Sequence, residues 1–377
     1  MLSSEELQRY ARQIRLPGIG IEGQARLRAA RVLIVGAGGL GSPVAMYLAA
    51  AGVGTIGLVD FDVVDASNLH RQLLHGSADI GRLKVESARD RLADINPHVQ
   101  VEIIAEALRA DNAMDLVRRY TLIVDASDNF AARYLVNDAG VLARVPVVYG
   151  SVERFDGQVS VFGVPGSACY RCLFREPPPP GLIPTCAEAG VFGVLPGLVG
   201  MIQATEVIKV LTGVGDPLVG RLLLVDAARM QFRSIAVRPD PACPVCGTRE
   251  QTTLIDYEAF CGLRPAAPHG DAIVQLSPRA LAQRLAAGDA PLIVDVREPW
   301  EYEVARVAGS QLLPLGQLVE RAASLPRDRD LVLLCHHGMR SQQAAQWLRS
   351  AGYTRVANLA GGIDAWSVEV DPSVARY

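Results

Sequence analysis

The sequence is short of charge. Only 20% of its 377 residues are charged and the net charge is −3, which leaves no electrostatic case for nucleic acid or an anionic membrane as a partner. It lacks a basic N-terminal region followed by an apolar block, opening instead on Glu5, Glu6 and Arg9, so no signal peptide is expected. It also lacks a long unbroken apolar run. The most apolar window, 189–204, is interrupted by Pro196 and several glycines and reads as a buried loop and helix start, too short to span a bilayer. No internal repeat is present. Cysteine is scarce and odd in number, seven in all, which argues against a disulfide framework and for metal binding and catalysis in a reducing compartment. Half the residues are hydrophobic, enough for two or three packed domains. A soluble, cytoplasmic protein is expected.

What is present begins at Arg31. The run R-V-L-I-V leads into G-A-G-G-L-G-S, then a helix-compatible segment, then T-I-G-L-V-D ending at Asp60. Gly36, Gly38 and Gly41 stand at G-x-G-x-x-G spacing between an apolar strand and a helix, the pattern of a nucleotide-binding βαβ unit. The turn lets phosphate oxygens approach the backbone, and the helix N-terminus offers free N–H groups to an anion. On this stretch alone an NAD(P)-dependent oxidoreductase fits as well as an ATP-using enzyme.

Strands and helices alternate through residue 150, predicting an α/β fold with a mostly parallel, Rossmann-like sheet covered on both faces. After Ser151 an antiparallel strand (157–164), a Pro-rich loop (177–184), a helix (199–211) and a hairpin (221–237) follow. The expected division is a first domain over 1–250, a linker over 251–271 and a small α/β domain over 272–377.

Four of the cysteines form two C-x-x-C pairs, Cys169 with Cys172 and Cys243 with Cys246, separated by 70 residues. Brought together, they supply four thiolates to one tetrahedral Zn²⁺, a closed and hence structural site. The competing readings are four unrelated buried cysteines or a redox pair.

With these pieces assembled, the first 250 residues resemble the MoeB/ThiF family, bacterial relatives of ubiquitin-activating enzymes. The resemblance rests on R-Y-A-R-Q, G-A-G-G-L-G-S, D-F-D-V-V-D-A-S-N-L-H-R-Q, the lysine of G-R-L-K-V-E, D-A-S-D-N and both cysteine pairs. It implies adenylation of the C-terminal Gly-Gly carboxylate of a small ubiquitin-like sulfur carrier, MoaD- or ThiS-like, with ATP and Mg²⁺ as cofactors. It places Arg71 and Lys84 on the phosphates, Asp60 on the ribose and Asp128 on Mg²⁺. Gly36, Gly38, Gly39, Gly41, Asp62, Asn68, Gln72 and Asn129 complete the implied nucleotide site. It also brings Arg12 in from a second subunit, implying a homodimer, and sets Cys186, in P-T-C-A-E-A-G, near the adenylate as a candidate covalent link to the carrier. The chemistry suits these residues, since a carboxylate attacking a phosphate needs cations to hold the transition state.

In the last domain Cys335 follows the apolar run L-V-L-L and opens C-H-H-G-M-R-S. Backbone N–H groups of such a loop favour a thiolate, and Arg340 at its end adds positive charge. The domain resembles a single-domain rhodanese through L-I-V-D-V-R-E-P-W-E-Y, the Cys335 loop and G-G-I-D-A-W. That resemblance implies a persulfide on Cys335, charged from a persulfide or thiosulfate donor. Together the two halves suggest adenylation followed by sulfur transfer, giving a thiocarboxylate for molybdopterin synthesis. The same chemistry on a carrier for thiamine, cysteine or siderophore sulfur is a second reading, an NAD(P)-dependent oxidoreductase a third, and a non-catalytic carrier scaffold a fourth.

Overall fold

The computed structural model describes residues 2–178, 190–262, 273–289 and 291–376. The chain divides into two compact units, with residue 262 in the first and residue 273 in the second.

The first unit is built on an eight-stranded sheet in the order β3-β2-β1-β4-β5-β6-β7-β8. Its strands are β1 (Arg31–Val35), β2 (Thr55–Val59), β3 (Gln100–Ile104), β4 (Leu122–Asp125), β5 (Val147–Glu153), β6 (Asp156–Phe162), β7 (Arg221–Asp226) and β8 (Gln231–Ala236). β1 to β5 run parallel, and β6 to β8 are added antiparallel. The inner parallel strands are mostly apolar because helices cover both of their faces; β2, T-I-G-L-V, is buried at every residue, whereas β3 at the edge, Q-V-E-I-I, is only partly buried. β8 closes the edge, and most of its residues are exposed.

Strand order reverses on either side of β1, which pairs with β2 and with β4. Val35 lies in register with Val59 and with Asp125, so the chain leaves the sheet at one edge through Gly36, Asp60 and Ala126. A crevice at the carboxyl ends of parallel strands, where the order reverses, is where ligands bind in such sheets.

Among the described residues one helix, Leu195–Thr212, is long and apolar enough to cross a membrane. Its apolarity has a local cause. Leu195, Val199, Ala204 and Val207 are buried in the same core as Val44, Ala45 and Leu48 of the helix Gly41–Ala51. A Cβ on Gly200 would lie 2.5 Å from Pro43 and 2.6 Å from the Leu40 carbonyl oxygen, so the two helices meet almost backbone to backbone.

The structure departs from the expected linker. Residues 251–262 carry a short helix, Tyr257–Phe260, capped by Asp256. Tyr257 and Cys261 are buried in the first unit's second core, with Leu254, Ile255 and Phe260 packed against it. The Pro and Gly content that suggested a linker lies after this segment, in L-R-P-A-A-P-H-G.

The second unit is a five-stranded, all-parallel sheet in the order β11-β10-β12-β13-β9, with β9 Val274–Leu276, β10 Leu292–Asp295, β11 Gln311–Leu312, β12 Leu331–Leu334 and β13 Val356–Leu359. Separate apolar clusters cover its two faces, one including Ala344 and Leu348 of the helix Met339–Ser350, the other Leu281, Ile363 and Trp366.

Candidate active sites

At the carboxyl edge of β1, β2 and β4 lies a cavity of about 860 Å³. The glycine turn forms one wall, and its glycines serve two purposes. Gly36 has φ +100°, and a Cβ there would meet the Ala126 carbonyl oxygen at 2.6 Å. At Gly41 a Cβ would sit 1.9 Å from the Gly36 carbonyl oxygen. These two are glycine for the fit of strand, turn and helix. Gly38 and Gly39 line the cavity itself.

Asp60 sits at the end of β2, where its carboxylate accepts from the Ala37 N–H at 2.8 Å and the Asp62 N–H at 2.9 Å. It thereby ties the glycine turn to the next loop. Burial raises its pKa above the ordinary carboxylate value, against the lowering effect of Lys84. Lys84 starts the helix Lys84–Ile95; it is buried, and its Nζ donates to Asp62 Oδ2 at 2.8 Å. Arg71 also lines the cavity, its guanidinium donating to the Ser67 carbonyl at 3.0 Å. Gln72 is buried beside it, and its Oε1 has no hydrogen-bond partner among the described residues. A buried polar atom left open at a cavity wall is what a ligand donor or a water would complete.

Asp128 and Asn129 lie past β4 and line the cavity. Asn129 caps the helix Phe130–Ala143 by accepting from the Ala132 N–H at 2.9 Å, so its oxygen is committed to the helix and Asp128 is the exposed oxygen donor. Asn68 differs from expectation. It closes a turn by accepting from the Asp65 N–H at 3.3 Å and is not among the cavity-lining residues. Arg12 is exposed on the helix Ala11–Ile14, away from the cavity of its own chain, with no hydrogen bond or ion pair among the described residues. Cys186 lies outside the described residues.

Sequence reasoning missed His75. It is buried behind the turn, with Nε2 3.0 Å from the Ala37 carbonyl and Nδ1 2.9 Å from Ser87 Oγ. A carbonyl only accepts, so Nε2 carries the proton and Nδ1 accepts from the serine. Burial lowers the His75 pKa, and Lys84 adds to that. Neutral His75 thus props the glycine turn from below. The residue lies three positions past D-F-D-V-V-D-A-S-N-L-H-R-Q, and nothing in its spacing separates a prop from a surface histidine.

The four paired cysteines converge. Their sulfurs all lie within 4.8 Å of one another, with separations of 3.9 Å for Cys169–Cys172, 3.6 Å for Cys169–Cys243 and 3.3 Å for Cys172–Cys246. A tetrahedron with Zn–S bonds of about 2.3 Å has edges of about 3.8 Å, so this set could hold one zinc ion. The Asp240 N–H donates to Cys172 Sγ at 3.3 Å, as a metal-bound thiolate accepts. Gly247 follows the fourth cysteine because a Cβ there would meet the Asp240 and Pro241 carbonyl oxygens at 2.5 Å.

In the second unit Cys335 sits buried at the end of β12. The Gly338 N–H donates to its sulfur at 3.2 Å and Ser341 Oγ at 3.3 Å. The loop is shaped from outside. N–H groups of Ile363 and Asp364, at the start of the helix Gly362–Glu369, take the Cys335 carbonyl at 2.8 Å and the His336 carbonyl at 3.1 Å. These two bonds hold the Cys335 and His336 carbonyls away from the sulfur, which gives G-G-I-D-A-W its role. Arg340 does something other than expected. Its guanidinium forks onto buried Glu301 with both contacts at 2.7 Å, so much of its charge is balanced and it clamps the loop. Glu301 in turn belongs to a buried chain: fully buried Arg297 binds Asp295 and donates to the Glu301 and Ala305 carbonyls. His336 stacks on His337 with ring centroids 4.1 Å apart, and its pKa is lowered, first by burial and then by that neighbour.

Residues 10–245 match the ThiF family. The chain belongs to that family. Residues 277–369 match the rhodanese-like domain, and the chain joins the two. It is 47% identical over its full length to the probable adenylyltransferase/sulfurtransferase MoeZ of Mycobacterium tuberculosis, covering 96% of that protein. It is 41% identical, again over its full length, to the adenylyltransferase and sulfurtransferase MOCS3 of Drosophila ananassae, covering 86% of it. Over 70% of the chain it is 56% identical to the sulfur carrier protein adenylyltransferase of Thermus thermophilus, covering 99% of that one. Among solved structures, Escherichia coli MccB with AMPCPP and MccA superposes with a TM-score of 0.58 at 24% identity, over 65% of this chain and 76% of that one, a likeness of fold. The ThiF-family match sets aside the oxidoreductase reading; the chain is an adenylyltransferase joined to a sulfurtransferase.

Proposed function

We propose that the first unit adenylates the C-terminal Gly-Gly carboxylate of a ubiquitin-like sulfur carrier and that Cys335 supplies the sulfur for a terminal thiocarboxylate, serving molybdopterin synthesis. The observation that carries this is the pairing, in one chain, of a glycine-walled cavity bearing Lys84 and Arg71 with a loop that presents N–H and O–H donors to a cysteine sulfur. The carrier carboxylate attacks the α-phosphorus of ATP, the bond to the β-phosphate breaks and pyrophosphate leaves. Lys84 and Arg71 stabilise the charge that gathers on the phosphate oxygens. Asp128, an exposed carboxylate at the cavity wall, would hold Mg²⁺, and the bound ion would supply positive charge to the phosphates. Asp60, Asp62, Gln72 and Asn129 position the turn, the lysine and the carboxylate around the nucleotide.

The terminal sulfur of a Cys335 persulfide then attacks the acyl carbon and AMP leaves, forming an acyl disulfide. A thiolate attacking the Cys335 sulfur releases the thiocarboxylate and forms a disulfide with Cys335; Cys186 is the proposed thiol, and a thiol reductant resets the pair. Unpaired Arg12 completes the partner subunit's site in a homodimer. The cysteine cluster holds structural Zn²⁺.

The test of the first step is carrier-dependent ATP–pyrophosphate exchange. Lys84→Ala is expected to lower exchange about 100-fold, the usual cost of removing one preorganised charge donor. Exchange at the wild-type rate in that variant would remove Lys84 from the chemistry.

A further inference from the structure

Beyond the residues matched to the ThiF family, the segment 251–260 returns to the nucleotide cavity. Leu254 and Ile255 line it, and both are half-buried against the same core as Leu108, Ala131 and Leu135, which line it too. These five side chains belong to one core and give the cavity its apolar lining; charged groups line it too, among them Arg71, Lys84 and Asp128 and, next in sequence to Leu108 and Ile255, Arg109 and Asp256.

The segment is fastened by a buried polar hub. Asp138 is fully buried and accepts from Tyr257 Oη at 2.8 Å and from Gln251 Nε2 at 2.8 Å. The same carboxylate receives the Arg171 guanidinium at 2.8–3.1 Å. Arg171 stands between Cys169 and Cys172 in sequence, and its guanidinium lies 4.5 Å from the centre of the Phe260 ring. Neither end of the segment is left to chance: Gln251 and Tyr257 bracket Leu254 and Ile255.

We propose that this segment is a strap that builds the adenine subsite, with Leu254 and Ile255 as its apolar wall and Tyr257 and Asp138 as positioning residues. A purine ring carries no charge and is held by apolar faces with few polar contacts, which the side chains of Leu108, Leu254 and Ile255 offer and those of Arg71 and Lys84 do not. The inference rests on the ATP reading above and extends it to residues outside the family match.

The experiment compares wild type with Ile255→Ala and Tyr257→Phe in carrier-dependent ATP–pyrophosphate exchange, with tripolyphosphate as a competitive inhibitor that lacks the base. Ile255→Ala is expected to raise the KM for ATP five- to tenfold, with kcat, the KM for carrier and the inhibition constant for tripolyphosphate all within twofold. Tyr257→Phe keeps the ring and removes the bond to Asp138; a two- to threefold rise in the same constant alone is expected. An unchanged KM for ATP in Ile255→Ala, or a parallel rise in ATP and tripolyphosphate constants, would overturn the strap. Equilibrium dialysis of ATP against the same proteins needs no carrier. If wild type binds ATP and Ile255→Ala binds it more weakly, yet no Gly-Gly carrier supports exchange, the strap stands and the adenylation reading falls.

Discussion

His75 shows how one side chain couples the glycine turn to pH. Its folded pKa is lowered by burial, so the unfolded chain binds the proton at a higher pH than the fold does. The contribution to stability is intact above the unfolded value of about 6.5 and is lost as pH falls through it, completely once the folded pKa is passed. Urea midpoints taken at pH 7.5 and pH 5.5 should therefore fall further in wild type than in His75→Gln; equal falls would mean that the neutral prop has no energetic weight. Cys335 and Lys84 were recognisable from their motifs. The roles of His75 and Glu301 were not, because burial and pairing at those positions are set by segments elsewhere in the chain. Arg340 illustrates the same limit: its position in the loop was plain, but the carboxylate that balances it comes from 39 residues upstream.

At the scale of elements, the turn between β1 and the helix Gly41–Ala51 is a tight joint of the first unit. Gly41→Ala would press a methyl into the Gly36 carbonyl, and overpacking of this kind costs about 2–3 kcal/mol. A lowered urea midpoint with unchanged slope is the expected result. The cysteine cluster ties the helix Tyr170–Leu173 to the 243–246 loop. Stripping the metal with a chelator should lower the first unit's melting temperature by roughly 10 °C, as expected when several kcal/mol of binding energy are lost; an unmoved transition would argue against zinc. Periodicity made the strands and most helices legible, since apolar runs of four to seven residues bounded by glycine or polar turns have few other uses. The short helix Tyr257–Phe260 was not legible. Of its four residues Tyr257 alone is buried, and the contacts that make it part of the domain, with Asp138 and with Arg171, come from more than eighty positions earlier.

For the whole molecule, joining an acyl activator to a sulfur donor raises the donor's effective concentration at a reactive adenylate. That advantage exists only if both chemistries run on one carrier. The direct measurement is the intact mass of a Gly-Gly carrier after incubation with this protein, ATP–Mg²⁺ and thiosulfate. The expected result is a gain of sulfur in place of oxygen at the carrier's terminus, absent in Cys335→Ala, which should still catalyse ATP–pyrophosphate exchange. A carrier that gains sulfur equally well with Cys335→Ala, or that is never adenylated by wild type, would contradict the proposed function.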